Sequence, residues 1–223
     1  MYTRSGELVI ISRVKSTGKW KFLRSLRFRI TLMLVFIGII PSIIIENGIV
    51  ESYEDRAINL RTVTVKNQSD ILCNQLVKLG YMEDSANPVI NGEFSMLTNI
   101  YGGRILIINK DFRVIKDTYD LDMGKLMVSQ EVIDCFNGRE TSNYDKKNNF
   151  IEMTVGIQNP ETKELQGVML ISVSTSEIQS SKDILEQKGF FLLIIIMLVV
   201  LILGYIISGY LMKPFQKITR SIE

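Results

Sequence analysis

Three aspartates in the stretch DTYDLD are the residues whose type and spacing come nearest to a chemical site. Asp117, Asp120 and Asp122 follow one another at intervals of three and two residues, and carboxylate oxygens are the ligands that Ca²⁺ and Mg²⁺ prefer. The stretch lacks the glycine and the distal glutamate of an EF-hand loop. A cation site and a plain charged loop both fit this stretch; we favour the charged loop and assign no metal ligand.

The usual catalytic constellations are missing from the 223 residues. The sequence contains no histidine, which excludes a histidine general base, a histidine-ligated metal and a phospho-accepting histidine within it. It also contains no P-loop motif and no G-x-S-x-G nucleophile elbow. Cys73 and Cys135 fit no metal spacing, and they are expected to be two buried thiols, with a disulfide as the alternative. We predict no catalytic residue in this sequence.

Two apolar stretches are long enough to form membrane-spanning helices. The first covers residues 30–49, and the second, which contains no charged residue, covers residues 189–212. An α-helix of about 20 residues crosses the roughly 30 Å hydrocarbon core of a bilayer. The first stretch is expected to be an uncleaved anchor rather than a signal peptide, because no small-residue cleavage site follows it. Pro41 predicts a kink there, with or without a role in signalling.

Basic residues lie on the outer flank of each apolar stretch. Residues 1–29 contain eight basic side chains and one acidic one, and residues 213–223 contain three basic and one acidic. Residues 50–188, between the stretches, contain 15 basic and 21 acidic side chains. The positive-inside rule therefore predicts both termini in the cytoplasm and residues 50–188 outside it. The aromatic-bearing tail 1–29 either lies on the inner membrane surface or only sets this topology.

Residues 50–188 are expected to form one compact α+β domain. Apolar steps of three and four residues predict a helix that continues outward from the first span and stops near Gly80. A short helix is predicted at SQEVIDCFNG, with Ser129 as its N-cap, and TSEIQSSKDILEQK is predicted to be a helix that runs into the second span. Strands are predicted at RILIIN, FRVIKDT, FIEMTVGIQ and LQGVMLISVS. This order predicts an antiparallel sheet of at least four strands packed on the long N-terminal helix.

Some local features of this domain are predicted in more detail. Residues 82–103 have a mixed pattern with turn signals at Asn87-Pro88 and Gly102-Gly103, and no helix or strand is assigned to them. In FRVIKDT, alternate residues place Phe112, Val114 and Lys116 on one face. The apolar stripe of the long helix is predicted from the following residues: Val50, Tyr53, Ala57, Leu60, Ile71, Leu72, Leu76 and Leu79.

The last two strands differ in their hydrophobic pattern. FIEMTVGIQ alternates cleanly between apolar and other residues, whereas LQGVMLISVS is apolar almost throughout. A strand that is covered on both faces shows such a continuous apolar run. LQGVMLISVS is therefore predicted to be the more central strand of the sheet.

The segments RILIINKDFRVIKDT and EVIDCFNGRETSNY, with the paired strands, resemble the extracytoplasmic PAS-like, or single Cache, sensor domains of bacterial membrane receptors. MKPFQKITRSIE resembles the first helix of a HAMP domain, which in that family begins with a proline just inside the membrane. Over residues 24–223 the layout resembles the N-terminal half of a bacterial two-component sensor histidine kinase. The implied fold class is α+β, with a PAS-like or single Cache domain between two transmembrane helices.

The resemblance implies a ligand pocket over the sheet. For each candidate residue of this pocket, a solvated or capping side chain is the alternative, and it is the interpretation that we favour. The candidates that we assign are Tyr101, Arg104, Lys116, Asp117 and Tyr144, with Asn109 and Tyr119 as further polar residues nearby.

Residues 213–223 are expected to transmit the signal. The resemblance assigns this role to Pro214 together with Phe215, Ile218 and Ile222, whose spacing of three and four is that of a coiled-coil seam. Two such helices from two subunits would pack in a parallel bundle. An amphipathic tail on the inner membrane surface is the alternative interpretation.

The resemblance implies a sensory module in the bacterial cell membrane that passes a signal to a cytoplasmic kinase not contained in these residues. The expected partners are a second copy of the chain, the lipid bilayer, an extracytoplasmic ligand or protein and, through the kinase part, a response regulator; nucleic acid is not expected. No cofactor is predicted for these residues, whereas the kinase part would use ATP. The alternatives are the front end of a chemoreceptor or diguanylate cyclase, and a stand-alone membrane-anchored binding domain.

Overall fold

The computed structural model describes the backbone of residues 26–220 and the side chains of residues 28–207, 209 and 210. This part of the chain contains four helices and five strands. In chain order the elements are α1 (Leu26–Lys78), α2 (Pro88–Tyr101), β1 (Arg104–Asn109), β2 (Val114–Asp117), α3 (Gln130–Phe136), β3 (Ser142–Asp145), β4 (Phe150–Gln158), β5 (Leu165–Ser174) and α4 (Ser176–Arg220).

The chain divides into two compact units. The α/β unit comprises Glu46–Lys188, and the helical-pair unit comprises the described residues of Met1–Ile45 and Gly189–Glu223. Helices α1 and α4 each contribute residues to both units.

The sheet has five strands in the order β2-β1-β5-β4-β3, and all neighbouring strands are antiparallel. This arrangement confirms the predicted antiparallel sheet. Strand β3 was not predicted from the sequence. The central strand is β5, as its continuous apolar pattern predicts. In β4 the predicted apolar face is confirmed, because Ile151, Met153, Val155 and Ile157 are all buried, although Thr154 on the other face is buried as well.

One face of the sheet packs on α1 and α2. Val65, Leu72 and Leu76 of α1 belong to the same core cluster as Met153 and Ile171 of the sheet. This contact confirms that the long N-terminal helix packs on the sheet. The predicted apolar stripe is confirmed only in part: Val50, Leu72 and Leu76 are buried. It is wrong at four other residues, which are 38–68% exposed, namely Tyr53, Leu60, Ile71 and Leu79.

The other face of the sheet packs on the short helix α3. Leu106 and Leu170 of the sheet cluster with Val132 of α3, and the rings of Phe112 and Phe136 lie 4.8 Å apart. The predicted N-cap is confirmed, because the Ser129 hydroxyl accepts a hydrogen bond from the backbone N–H of Val132.

Helix α2 occupies most of residues 82–103, where the mixed sequence pattern led to no assigned element. The side chain of Asn87 accepts a hydrogen bond from the backbone N–H of Val89, and Pro88 begins the helix. Gly102 ends the helix in the left-handed conformation, with φ of 57°, and its N–H bonds to the Thr98 carbonyl. Asn-Pro and Gly-Gly are helix caps here. The same residue types are favoured in turns, because helix caps and turns need the same backbone geometry.

Strand β2 departs from simple alternation. The β1–β2 ladder shifts register between Ile107 and Ile108. As a result Val114 and Asp117 are buried, whereas Lys116 is half-buried, so the predicted pairing of Val114 with Lys116 on one face is wrong. A β-bulge of this kind reverses the direction of the side chains that follow it.

Within the described residues, two helices are long and apolar enough to cross a membrane, and they lie in α1 and α4. The helical-pair unit brings them into contact at two glycines. A Cβ atom at Gly38 would lie 3.0 Å from Val200 Cγ2, and one at Gly204 would lie 3.1 Å from Thr31 Cγ2. The two contacts run in opposite directions along the helices, so the pair is antiparallel. Small residues allow such a close approach of helices in a membrane.

Candidate functional site

The predicted ligand residues Arg104 and Asp117 bind each other at the edge of the sheet. Arg104 begins β1 and Asp117 ends β2, and the antiparallel hairpin brings them together. The Arg104 guanidinium donates through Nε at 2.9 Å and Nη2 at 2.5 Å to the two carboxylate oxygens of Asp117. A third bond of 2.6 Å runs from Arg104 Nη2 to Asp122 Oδ2. The acceptors of this arginine are therefore supplied by the protein itself.

Asp117 organises the loop that follows β2. Its side chain is fully buried and accepts hydrogen bonds of 2.8–2.9 Å from the backbone N–H groups of Tyr119, Leu121 and Asp122. Burial raises the pKa of this carboxyl, but Arg104 and the three backbone donors together hold the pKa well below its usual range. The stretch DTYDLD is thus a loop wrapped around one carboxylate. Within the described residues no group of three acidic, cysteine or histidine side chains is placed to hold a metal ion.

The other polar candidates near this hairpin also have local roles. Asn109 Oδ1 accepts from the backbone N–H groups of Asp111 and Arg113 and closes the β1–β2 turn. The Lys116 ammonium lies 4.0 Å from the carboxylate of Asp120. The ring of Tyr119 lies beside the guanidinium of Arg104, with Cζ 5.9 Å from the ring centroid.

Tyr101 ends α2 and contacts a different set of residues, where α1 meets the start of α4. The guanidinium of Arg61, on α1, lies over its ring with Cζ 5.5 Å from the centroid. Arg61 also donates to the Ser174 carbonyl at 3.1 Å and to Glu177 Oε2 at 3.0 Å. We call Arg61, Tyr101, Ser174 and Glu177 the Arg61 clamp. It ties α1 to the end of the central strand and the first turn of α4.

Tyr144 belongs to a third place, centred on a carboxylate that the sequence did not single out. Its hydroxyl donates to Glu54 Oε1 at 3.3 Å. Glu54 Oε2 also accepts from Lys182 Nζ at 2.8 Å and from Lys146 Nζ at 3.1 Å. Glu54 is only 5% exposed. We call Glu54, Tyr144, Lys146 and Lys182 the Glu54 cluster; it joins α1, the β3–β4 hairpin and α4.

A signal for the Glu54 cluster does exist in the sequence. Glu54 lies four residues before Ile58, which packs against the core, and it continues the stripe of Val65, Ser69 and Leu72 at steps of three and four residues. A charged residue on the buried stripe of a helix requires a partner. The partners themselves could not be found, because Tyr144 and Lys182 are 90 and 128 residues away in the chain.

The predicted residues therefore do not converge on one pocket. A cavity of about 10 Å³ lies between α1, α2 and the sheet beside Tyr101 and Arg104, which is room for a single water molecule. An open groove of about 370 Å³ lies between α1 and α4, along Tyr53, Leu60 and Ile178. A further groove of about 140 Å³ separates α1 from α2.

The two cysteines are free and buried, which confirms the expectation of two buried thiols. Burial raises the pKa of the Cys135 thiol to about 11, so almost no reactive thiolate forms at neutral pH. Neither cysteine forms a disulfide in this structure.

The residues assigned to signal transmission lie at or beyond the end of the described part of the chain. Pro214, Phe215 and Ile218 fall within the backbone of α4, but their side chains are not described. Ile222 lies outside the described residues.

Comparison with known proteins does not assign this chain to a family. No family model matches the chain, and no curated protein matches it. Among the described residues, the Arg61 clamp and the Glu54 cluster fix the start of α4 to α1 by charged contacts.

Proposed function

We propose that this chain is the sensory and transmembrane signalling module of a bacterial sensor histidine kinase, with residues 50–188 as a Cache-like or PAS-like domain outside the membrane. One observation carries the proposal: the first and last helices of the α/β unit are the same helices that are long and apolar enough to cross a membrane. A domain connected in this way has a direct route for passing a change in its own packing to the lipid-facing segments.

The central strand provides the shortest such route. Strand β5 pairs with β1 on one side and β4 on the other, and a single residue, Thr175, separates it from α4. A shift of β5 therefore moves the start of α4. Two packings that differ by only a few kcal/mol are sufficient for a ligand to select one of them.

The antiparallel helix pair supports a topology in which both chain ends lie on one side of the membrane. The basic residues in 1–29 and 213–223 favour the cytoplasmic side. In this proposal the chain acts as a homodimer, an extracytoplasmic ligand or protein supplies the signal, and residues 213–223 begin a HAMP helix. The signal passes to an ATP-using kinase part and from it to a response regulator.

The topology is tested by labelling a cysteine placed at Asn148, an exposed residue of the β3–β4 turn. We expect a membrane-impermeant maleimide to label Asn148→Cys in intact cells. The wild-type chain is the matched control, because Cys73 and Cys135 are buried and stay unlabelled. Labelling only after the cells are permeabilised would contradict the proposed topology.

The signalling role is tested by joining residues 1–223 in helical register to the HAMP and kinase parts of a characterised sensor kinase. One alanine inserted after Lys188 rotates the rest of α4 by about 100° relative to the sheet, whereas seven inserted residues restore the original phase to within about 20°. We expect the single insertion to change autophosphorylation at least several-fold and the seven-residue insertion to restore the level of the parent fusion. Equal activity in all three fusions would contradict mechanical coupling through α4.

A further inference from the structure

The first 13 residues of α4, up to the end of the α/β unit, are weakly packed. Between Ser176 and Lys188 the one buried side chain is Ile178, at 7% exposure. Of the other two large apolar residues of this segment, Ile184 is 52% exposed and Leu185 is half-buried. Apolar burial, which normally provides most of the free energy that docks a helix, is therefore small here.

Charged contacts take the place of apolar packing. Among the described residues two ion pairs join α4 to α1, namely Arg61–Glu177 at 3.0 Å and Lys182–Glu54 at 2.8 Å. The first involves a glutamate side chain that is 75% exposed, and the second joins a lysine that is 16% exposed to a glutamate that is 7% exposed. Exposed pairs contribute little to stability, whereas a shielded pair that also forms hydrogen bonds contributes more. Lys182–Glu54 is therefore the principal charged contact that holds this segment.

The rest of the Glu54 cluster makes this contact reversible. If Lys182 leaves, Glu54 still accepts a hydrogen bond from the Tyr144 hydroxyl and keeps the Lys146 ammonium 3.0 Å from Oε1. Lys146 is itself 67% exposed and can follow the carboxylate at little cost. Departure of α4 thus leaves no buried charge without a partner, which is the usual penalty for breaking a shielded ion pair. Lys182 in turn lies 3.9 Å from Glu186 on its own helix.

We propose that the Glu54 cluster is a releasable latch, in which Glu54 stays bound to the β3–β4 hairpin while Lys182 engages or releases the first turns of α4. The sheet stays folded in both states, and residues 176–188 are the part that moves. Use of this latch in signalling rests on the proposed function, but its release can be measured without any kinase output.

Hydrogen–deuterium exchange of the full chain in lipid nanodiscs tests the latch. Glu54→Gln removes the charge that attracts Lys182, and Lys182→Met removes the ammonium while keeping an apolar stem. In both variants we expect amide exchange in residues 176–188 to rise at least tenfold, with β4 and β5 exchanging as in the wild type. Two variants on different elements keep the test decisive if one of them folds poorly.

A matched control is available on the same helix. Lys66 of α1 pairs with Glu140, in the segment before β3, and this pair does not involve α4. Glu140→Gln should leave exchange in residues 176–188 within twofold of the wild type. The proposal is overturned if Glu54→Gln and Lys182→Met also leave it within twofold, or if they raise exchange equally in β4 and β5. Failure of the kinase fusions with a positive exchange result would reject the signalling role and leave the latch intact.

Discussion

Asp117 is the most completely bonded side chain of the α/β unit among those that carry a charge. It lies at 0% exposure and accepts two bonds from Arg104 and three from backbone N–H groups. Its neighbour Asp120 is exposed and makes one ion pair of 4.0 Å with Lys116. The two aspartates belong to the same loop. Substituting each of them in turn therefore compares the contribution to stability of a buried carboxylate with that of an exposed one.

Asp117→Asn should lower the free energy of unfolding of the α/β unit by about 3 kcal/mol, because it leaves Arg104 facing a neutral amide and keeps the shape of the side chain. Asp120→Asn is the matched control and should change it by less than about 0.5 kcal/mol. Urea-dependent labelling of the buried Cys73 and Cys135 thiols measures both. Equal effects of the two substitutions would show that Asp117 is not a structural anchor.

The same carboxylate predicts how stability depends on pH. The pKa of Asp117 is lower in the folded state than the ordinary value of about 3.9 that applies to the unfolded chain. Below pH 4 the unfolded chain therefore binds more protons, and the stabilisation is lost progressively as the pH falls toward the lowered pKa. Urea unfolding followed by circular dichroism between pH 6 and pH 3 should show a steeper loss of stability for the wild type than for Asp117→Asn. Parallel curves would contradict this assignment.

At the scale of single residues, the sequence indicated some of the charged side chains that matter but not which of them form ion pairs with each other. Arg104 and Asp117 were both selected for a ligand pocket, yet each is the principal partner of the other. Glu54 was passed over, although it lies on the buried stripe of α1. Pairing depends on the β1–β2 register and on contacts across 90 or more residues, and neither follows from local spacing.

At the scale of elements, strong periodic signals predicted the fold and ambiguous local signals did not. The apolar runs located β1, β4 and β5 and both long helices, and Ser129 located α3. Helix α2 was missed because its caps use residues that also favour turns. The four-residue strand β3 was missed because it is a polar edge strand, SNYD, with no buried face that would give a hydrophobic pattern.

Two glycines of neighbouring elements make opposite predictions for the same substitution. A Cβ at Gly103, just before β1, would lie 2.4 Å from the Ser172 carbonyl oxygen of β5, whereas a Cβ at Gly92 in α2 would meet nothing within 4 Å. Gly103→Ala should destabilise the unit by about 2 kcal/mol. Gly92→Ala should stabilise it by about 0.5–1 kcal/mol, because alanine is the better helix former. Thermal unfolding in nanodiscs compares them, and a shift of the same sign for both would contradict the close strand approach at Gly103.

At the scale of the whole molecule, the antiparallel pairing of the two membrane-length helices can be tested by cross-linking. A Cβ at Gly204 would lie 3.7 Å from Thr31 Cβ, which matches the Cβ separation of about 3.8 Å in disulfides. Thr31→Cys combined with Gly204→Cys should therefore form an intramolecular disulfide under mild oxidation. Cleavage at a protease site inserted into the β4–β5 turn, followed by a non-reducing gel, detects the two linked fragments.

The control for this cross-link pairs Thr31→Cys with Ile206→Cys, since Ile206 is 52% exposed and lies about 200° around the helix from Gly204. This pair should give separate fragments on the same gel. A disulfide that forms equally well in both double variants would indicate a mobile helix pair rather than a packed one. The result bears on the helical-pair unit alone and is independent of any signalling role.

The central position of β5 has a consequence for how the molecule bears force. A pull on α4 along the axis of β5 loads the ladders to β1 and β4 together and in shear, so many hydrogen bonds must break at once. A pull on the edge strands β2 or β3 would instead peel their ladders one bond at a time. Strand β5, which leads into α4, is thus the strand that resists separation from the sheet longest under tension. A force applied to β5 through a membrane helix would therefore move the whole sheet before it separated the strands.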